Sequence, residues 1–163
     1  LFTVAKDVKI QVEFNPNYVA SYRLIGYENR LMANEDFRND AKDAGELGAG
    51  HTITALYEIT PSLTAAATDA AAIVRLRYKQ PTASTASELA YNVDARSSMF
   101  GQSSGNLRWA ASVAEFAMLL RDSEHKGTAN YDHCEMIARQ SAGRDPFGYR
   151  KEMIGLIGKA KSL

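Results

Sequence analysis

The chain has 163 residues, of which 45% are hydrophobic and 23% charged, and this composition excludes an intrinsically disordered protein. Its 19 basic and 19 acidic residues cancel, so no net field attracts the chain to nucleic acid or to an anionic membrane. A single cysteine, Cys134, excludes an internal disulfide framework and a cysteine-rich zinc site. We expect one domain over residues 1–163, with no nucleic-acid partner.

The beginning of the chain bears on targeting. Leu1 is not followed by the basic and then apolar residues of a leader. No apolar run approaches the ~20 residues that cross a bilayer. We therefore expect a piece of a longer protein whose targeting signal lies upstream, and no direct membrane insertion by this piece.

The N-terminal segment predicts two strands joined as a hairpin. Residues 6–14 alternate between polar residues, expected outside, and apolar residues, expected inside, namely Val8, Ile10, Val12 and Phe14. Asn15-Pro16-Asn17 predicts a turn. Residues 18–29 are aromatic and β-branched enough to form the second strand.

Three more strands are predicted before residue 95. After the polar residues 30–46 and a glycine-rich turn, the third strand runs from His51 to Ile59. A loop is predicted over residues 62–71. The fourth strand, residues 73–79, has Val74, Leu76 and Tyr78 inward and Arg75, Arg77 and Lys79 outward; the fifth carries Leu89, Tyr91 and Val93. One polar face per strand favours antiparallel pairing.

The hydrophobic period changes to that of a helix after Gly105. Asn130 can cap a second helix, and Asp145-Pro146 is typical of the start of a third. We therefore predict an α+β fold, with an antiparallel β-sandwich-like sheet region at 1–95 and a C-terminal layer of two or three α-helices at 105–163. The helices are expected to cover the sheet through Trp109, Val113, Phe116 and Leu120.

One pattern suggests an enzyme. Residues 101–105 match the G-x-S-x-G motif of serine hydrolases around Ser103, and Asp132 and His133 follow in hydrolase order. That motif needs a strand–turn–helix in a largely parallel sheet, whereas the strands here are expected to be antiparallel. A small serine hydrolase using Ser103 with His133 or His51 is therefore kept as an alternative, and no catalytic residue is assigned.

Metal binding has weaker support. The acidic residues between 34 and 46 lack the spacing of an EF-hand calcium loop, and we expect a solvated loop there, with metal binding left open. The three histidines lack the spacing of a helical zinc pair. A calcium- or carbohydrate-binding module stays an alternative, and we predict no cofactor.

A cluster of charged and aromatic residues is harder to assign. Residues 22–30 mix both signs of charge with tyrosines, and Glu58 lies within another predicted strand. Such charges need partners inside a sheet, so an internal Arg–Glu network is one interpretation. The other is a polar surface that docks a further domain.

Several long blocks together resemble a known family: residues 6–16, 22–30, 35–37, 43–58 and 113–123. They are similar to the uncharacterised domain that follows a von Willebrand factor type A domain (A domain) in bacterial proteins of the YfbK type. The resemblance spans nearly the whole chain. It implies that the A domain is the binder of metal and ligand, and that the protein is exported and lipid-anchored in the cell envelope. It offers no catalytic residue.

We therefore expect a non-enzymatic accessory domain that packs on a preceding A domain and serves binding or assembly at the bacterial cell envelope. The A domain of the same polypeptide is the expected partner, with other envelope proteins as further candidates. The candidate interface residues, expected to face the A domain, are Tyr27, Arg30, Glu46 and His51.

Overall fold

A computed structural model of the chain describes residues 2–63 and 70–163. The chain divides into two compact units, Leu1–Arg96 and Ser97–Leu163, which are described in turn. Their union into one domain stays a prediction. Most of the loop predicted over residues 62–71 lies outside the described residues.

The first unit consists of antiparallel sheets. Its strands are β1 (Thr3–Phe14), β2 (Val19–Ile25), β3 (Gly45–Gly48), β4 (Leu56–Pro61), β5 (Ala70–Lys79) and β6 (Ala86–Asp94). Four of them form one sheet in the order β3-β1-β5-β6, and β2 pairs with β4 in a second. Every pairing is antiparallel, as predicted.

The predicted hairpin of the first two strands is wrong. The turn after β1 forms, since the backbone N–H groups of Tyr18 and Val19 both donate to the carbonyl oxygen of Asn15. However, β1 already has β3 on one side and β5 on the other, so no free edge remains for β2. The chain instead enters the second sheet, and the strand ends at Ile25 rather than at residue 29.

The third predicted strand is misplaced. Regular strand structure begins at Leu56, whereas His51 lies just after the turn that ends β3. The N–H of His51 donates to the carbonyl of Gly48 at 3.1 Å, and Gly50 has a φ of 80°, which favours glycine. The glycine-rich segment itself supplies an edge strand, because glycine can pair through its backbone as any residue can.

The inside and outside of β1 also differ from expectation. Asp7 has a φ of 49°, and the pairing of β1 with β5 shifts register between Lys6 and Lys9. Beyond this bulge Lys9 is buried, whereas Ile10 is exposed. The expectation that the apolar set is inside is therefore wrong at Ile10. In β5 the apolar side chains that were predicted to face inward and the basic side chains that were predicted to face outward are all half-buried. The basic residues are therefore not fully exposed to solvent.

The second unit contains three helices, α1 (Gly105–Leu120), α2 (Tyr131–Ser141) and α3 (Tyr149–Ala160). Asn130 caps α2 as predicted, its side chain accepting a hydrogen bond from the N–H of His133 at 2.9 Å. Asp145 does not cap α3 directly, because α3 begins later, after Gly148. Its carboxylate nevertheless accepts from the N–H of Lys151 at 2.9 Å, in the first turn of α3.

The helical unit has its own hydrophobic core, formed by Cys134, Ala138, Ile154 and Ile157. Trp109 and Phe116 of α1 pack against this core and are half-buried. Val113 and Leu120 are exposed, so their predicted burial is wrong. Strands followed by three helices confirm the α+β class. Coverage of the sheet by the helices stays a prediction.

Candidate functional site

Two of the candidate interface residues lie just after β2. Tyr27 has a φ of 60°, and its carbonyl accepts a hydrogen bond from the N–H of Arg30 at 2.8 Å, closing a short 3-10 turn, Glu28–Arg30. Both side chains are exposed. Neither makes a hydrogen bond or an ion pair with any residue that the structure describes. They are therefore free to contact another molecule.

The other two candidates lie on and after β3. Glu46 is exposed and accepts a hydrogen bond from the hydroxyl of Thr3 at 3.2 Å. His51 is also exposed, and its ring has no hydrogen-bond partner among residues 2–63 and 70–163. In the described part of the chain, no hydrogen bond or ion pair joins this pair to Tyr27 or Arg30. The four residues are thus surface groups on two separate segments of the chain, and their role at an interface stays a prediction.

The charged cluster around Tyr27 is partly explained by pairing within the sheet. Arg23 of β2 lies opposite Glu58 of β4, and the two side chains form an ion pair. This is the internal Arg–Glu interaction considered for the cluster. It excludes Arg23 and Glu58 from the set of unpartnered charges, whereas Arg30 remains in that set.

The side chains considered for a hydrolase have separate partners. The hydroxyl of Ser103 donates to the carbonyl of Phe100 at 2.6 Å. Asp132 forms an ion pair with Lys161, and Nδ1 of His133 lies 2.9 Å from a carboxylate oxygen of Glu115. No hydrogen bond links Ser103 to a histidine in the described residues. The described contacts therefore do not assemble a Ser–His–Asp triad.

The helical unit buries its thiol beside an acidic residue. Cys134 has 0% exposure, and its Sγ donates to the carbonyl of Ser112 at 3.3 Å. Burial, with the charges of Glu115 and Glu135, raises the pKa of the Cys134 thiol to about 12. The thiol is therefore protonated at neutral pH, and its role is packing in the core.

The acidic loop of residues 34–46 is held on the polar face of the large sheet by basic side chains. Nζ of Lys9 donates to the carbonyls of Asp36 and Asn39, at 3.2 and 2.6 Å, at the end of a 3-10 helix, Asn34–Arg38. Arg77 pairs with Asp40 at 2.9 Å. We call this arrangement, residues 34–42 with their basic partners on the sheet, the loop clamp.

Ion pairs of the loop clamp and its neighbours shift several pKa values. The Arg77 guanidinium holds the pKa of Asp40 below its ordinary value of 3.8. Arg38 likewise lowers the pKa of Glu88, to which it donates two hydrogen bonds, at 2.9 and 3.1 Å. These carboxylates stay ionised as partners of a basic group on the sheet, Arg77, and of one on the loop, Arg38. Among the described residues, no group of three His, Cys, Asp or Glu side chains is placed to hold a metal ion.

The burial of Lys9 and its contacts with the loop were not predicted from the sequence. It falls in the polar half of an alternating strand, the position typical of a solvated lysine. The clamp covers that face, so only 4% of Lys9 remains exposed. No local pattern signals this contact, because the accepting carbonyls come from about 30 residues further along the chain.

Within residues 2–63 and 70–163, no helix has both the length and the apolar character that crossing a bilayer requires.

Comparison with known proteins places this α+β chain in a family. Residues 1–163 match the family described as "Uncharacterized protein YfbK, C-terminal", and the chain therefore belongs to that family. This confirms the resemblance found in the sequence. The association with an A domain is not part of that match and is treated below as a proposal.

One curated relative shows how much of a longer protein the chain represents. The chain is 37% identical over 180 residues to the protein named "Uncharacterized protein YfbK" of Escherichia coli (strain K12). The alignment covers 100% of this chain and 31% of the relative. The chain thus spans about a third of the length of that protein. No solved structure matches the chain.

Proposed function

We propose that this chain is a non-enzymatic accessory domain that packs on the A domain implied by the sequence resemblance, within the same polypeptide. The observation that carries the proposal is that the chain corresponds to 31% of a longer relative, in a family described as C-terminal. A C-terminal part of a larger protein has other parts of that protein as its nearest partners, because the covalent link gives them a high effective concentration.

The exposed residues after β2 and β3 support an interaction role. Tyr27, Arg30 and His51 have no side-chain hydrogen bond or ion pair in the part of the chain that the structure describes, so the internal structure gives no reason for them. Tyrosine and arginine are enriched among the residues that dominate interface energetics. In this proposal all four candidate residues, Glu46 included, lie on or beside the surface that faces the A domain.

The binding test uses the A domain of the intact protein, expressed separately and titrated against this chain by calorimetry. Arg30→Ala and His51→Ala should each weaken binding by about tenfold, because truncating an interface anchor typically costs more than 1 kcal/mol. Their melting temperatures should stay close to that of the wild-type chain, since both side chains are exposed.

Matched controls exist in the helical unit. Arg144 is exposed and has no ion pair with a described residue, and His125 is exposed and pairs only with its neighbour Glu124. Arg144→Ala and His125→Ala should leave the affinity unchanged. If the wild-type chain does not bind the A domain, the proposed function fails. If Arg30→Ala and His51→Ala unfold the chain but leave docking intact, the residues are internal scaffolding.

A role at the cell envelope belongs to the same proposal and rests on the resemblance alone. It is tested by fractionating cells that produce the intact protein from its own start codon. Recovery with the membrane and periplasmic fractions supports an envelope role. Recovery with the cytosolic fraction, beside a cytosolic marker enzyme, contradicts it.

A further inference from the structure

On one side of three neighbouring strands of the large sheet, β1, β5 and β6, the paired side chains are all uncharged. The register places them in three rows across β1, β5 and β6. The rows, which we call the apolar face, are Ile10–Leu76–Leu89, Val12–Val74–Tyr91 and Phe14–Ala72–Val93. Side chains opposite each other in antiparallel strands lie on the same side, so these nine form one continuous surface.

Much of the apolar face is open to solvent. Exposure is 51% at Ile10, 61% at Tyr91, 41% at Val93 and 40% at Leu89. At the Phe14 end the second sheet covers the face, because the rings of Tyr22 and Tyr57 lie 4.4 and 5.3 Å from the Phe14 ring. Soluble proteins rarely leave a continuous apolar surface open, and such surfaces mark interaction sites.

The opposite face of the same sheet shows the reverse arrangement. It carries Lys9, Arg75, Arg77 and Lys79, and all of these have carbonyl or carboxylate partners. The loop clamp covers the part of this polar face around Lys9 and Arg77, although water alone could solvate charged side chains. The apolar face, which gains most from burial, is therefore the one that needs a cover from elsewhere.

The chemistry of the apolar face indicates the kind of partner. Interfaces between partners that separate are about as polar as ordinary protein surface, whereas permanent interfaces are more apolar. The nine uncharged side chains of the apolar face therefore fit a permanent interface better than a transient one. A covalently linked domain meets that condition, and about two thirds of the E. coli relative lies outside the region that this chain matches.

We propose that the apolar face is the docking surface for a folded domain in the preceding part of the same polypeptide, which covers Ile10, Leu89 and Tyr91 with an apolar surface of its own. This inference rests on the proposed function for the existence of that partner. It adds to that proposal the surface that holds the partner.

Hydroxyl-radical footprinting tests the cover directly. Tyr91 and Leu89 should be modified readily in the isolated chain 1–163, and this modification should be lost in the intact longer protein. Tyr149, which is exposed on α3, serves as the reference tyrosine in both samples. Equal modification of Tyr91 in the two proteins would overturn the inference.

The same footprinting measurement distinguishes two other ways in which the apolar face is covered. Protection of Tyr91 in the isolated chain at every concentration would mean that this chain covers its own apolar face. Protection that grows with the concentration of the isolated chain would mean that a second copy covers it. Either result overturns the proposal of a preceding domain.

A matched pair of substitutions on β6 tests the energetics. Tyr91→Lys places a charge on the apolar face, whereas Asn92→Lys places the same charge on the other side of the same strand. In the titration with the separately expressed domain, Tyr91→Lys should weaken binding by at least about tenfold and Asn92→Lys by less than about twofold. Lysine is well tolerated on an edge strand, so both variants should keep the wild-type melting temperature.

The two proposals fail in different ways. If the wild-type chain does not bind and Tyr91 is equally modified in the intact protein, both are wrong. If the wild-type chain binds and Tyr91→Lys binds equally well, only the apolar face is wrong as the docking surface. The proposed function then depends on Arg30 and His51 alone.

Discussion

At the scale of single residues, Lys9 links the sheet to the acidic loop. Its ammonium group replaces water at the carbonyls of Asp36 and Asn39, where the 3-10 helix ends. A buried cation with hydrogen-bond partners is tolerable, and removing it takes two charge-assisted hydrogen bonds from the structure. The carbonyls of Asp36 and Asn39 then keep only their backbone donors, the N–H groups of Asn39 and Lys42, each at 3.2 Å. The position therefore depends on lysine, because a shorter or uncharged side chain cannot make both contacts.

Lys9→Met should lower the free energy of unfolding by about 2–3 kcal/mol, since hydrogen bonds from a charged donor are lost in a buried place. Methionine keeps most of the length and apolar stem of the side chain. Lys42→Met is the control, because Lys42 is largely exposed and pairs with Asp36 only at 3.5 Å. That change should cost less than about 1 kcal/mol. Urea unfolding followed by far-UV circular dichroism measures both, and equal costs would mean that the capping contacts do not stabilise the unit.

At the scale of elements, the loop clamp makes the stability of the sheet unit depend on pH. The folded-state pKa values of Asp40 and Glu88 are lowered by Arg77 and Arg38. A carboxyl whose pKa is lowered by folding adds stability that is fully present above its ordinary pKa. That stability is lost as the pH falls through the folded-state pKa.

We therefore expect the free energy of unfolding to fall between about pH 5 and about pH 2, and Asp40→Asn to remove part of this dependence. Urea unfolding over a series of pH values provides the measurement. Glu35→Gln is the control, because Glu35 has no ion pair in the described residues although it lies in the same loop. An unchanged pH dependence in Asp40→Asn would show that its pair with Arg77 adds no stability.

The helix α1 presents two apolar side chains in different surroundings. Phe116 packs against the core of the helical unit, with its ring 6.4 Å from that of Tyr131, whereas Val113 is exposed. Truncating a fully buried phenylalanine to alanine costs about 3–5 kcal/mol, and a phenylalanine that is only partly buried costs less than that.

Phe116→Ala should accordingly cost about 2 kcal/mol, and Val113→Ala less than about 0.5 kcal/mol. Trp109, the single tryptophan, packs on the same core, so its fluorescence reports the unfolding of this unit. A cost for Val113→Ala as large as that for Phe116→Ala would place Val113 in a contact that the described structure does not show.

At the scale of the whole molecule, the boundary between the compact units falls at Arg96. Arg96 is exposed and follows the end of β6 at Asp94, in a segment without regular structure. Proteases cut most readily at exposed segments of this kind.

Limited digestion with trypsin should therefore cut first after Arg96 and release fragments 1–96 and 97–163, identified by mass spectrometry. Arg96→Gln should remove this first cut without changing the melting temperature, since its only ion pair among the described residues is a surface contact with Asp94 at 3.5 Å. A first cut within either unit would contradict the boundary.

Local chemistry was enough to predict several features. The change from period 2 to period 3.6 near Gly105 predicted the α+β class, because burial of one face imposes those periods. The cap at Asn130 follows from its own side chain. Long blocks of residues were sufficient to indicate the family to which the chain belongs.

Pairing partners and covered faces were decided by the tertiary structure. Nothing local shows that β1 has β3 and β5 at its two edges, so β2 was placed beside it incorrectly. The burial of Lys9 and the exposure of Ile10 depend on a loop that comes later in the chain and covers only the polar face. Which face of a strand is inside is a property of its neighbours, and those neighbours are distant in sequence.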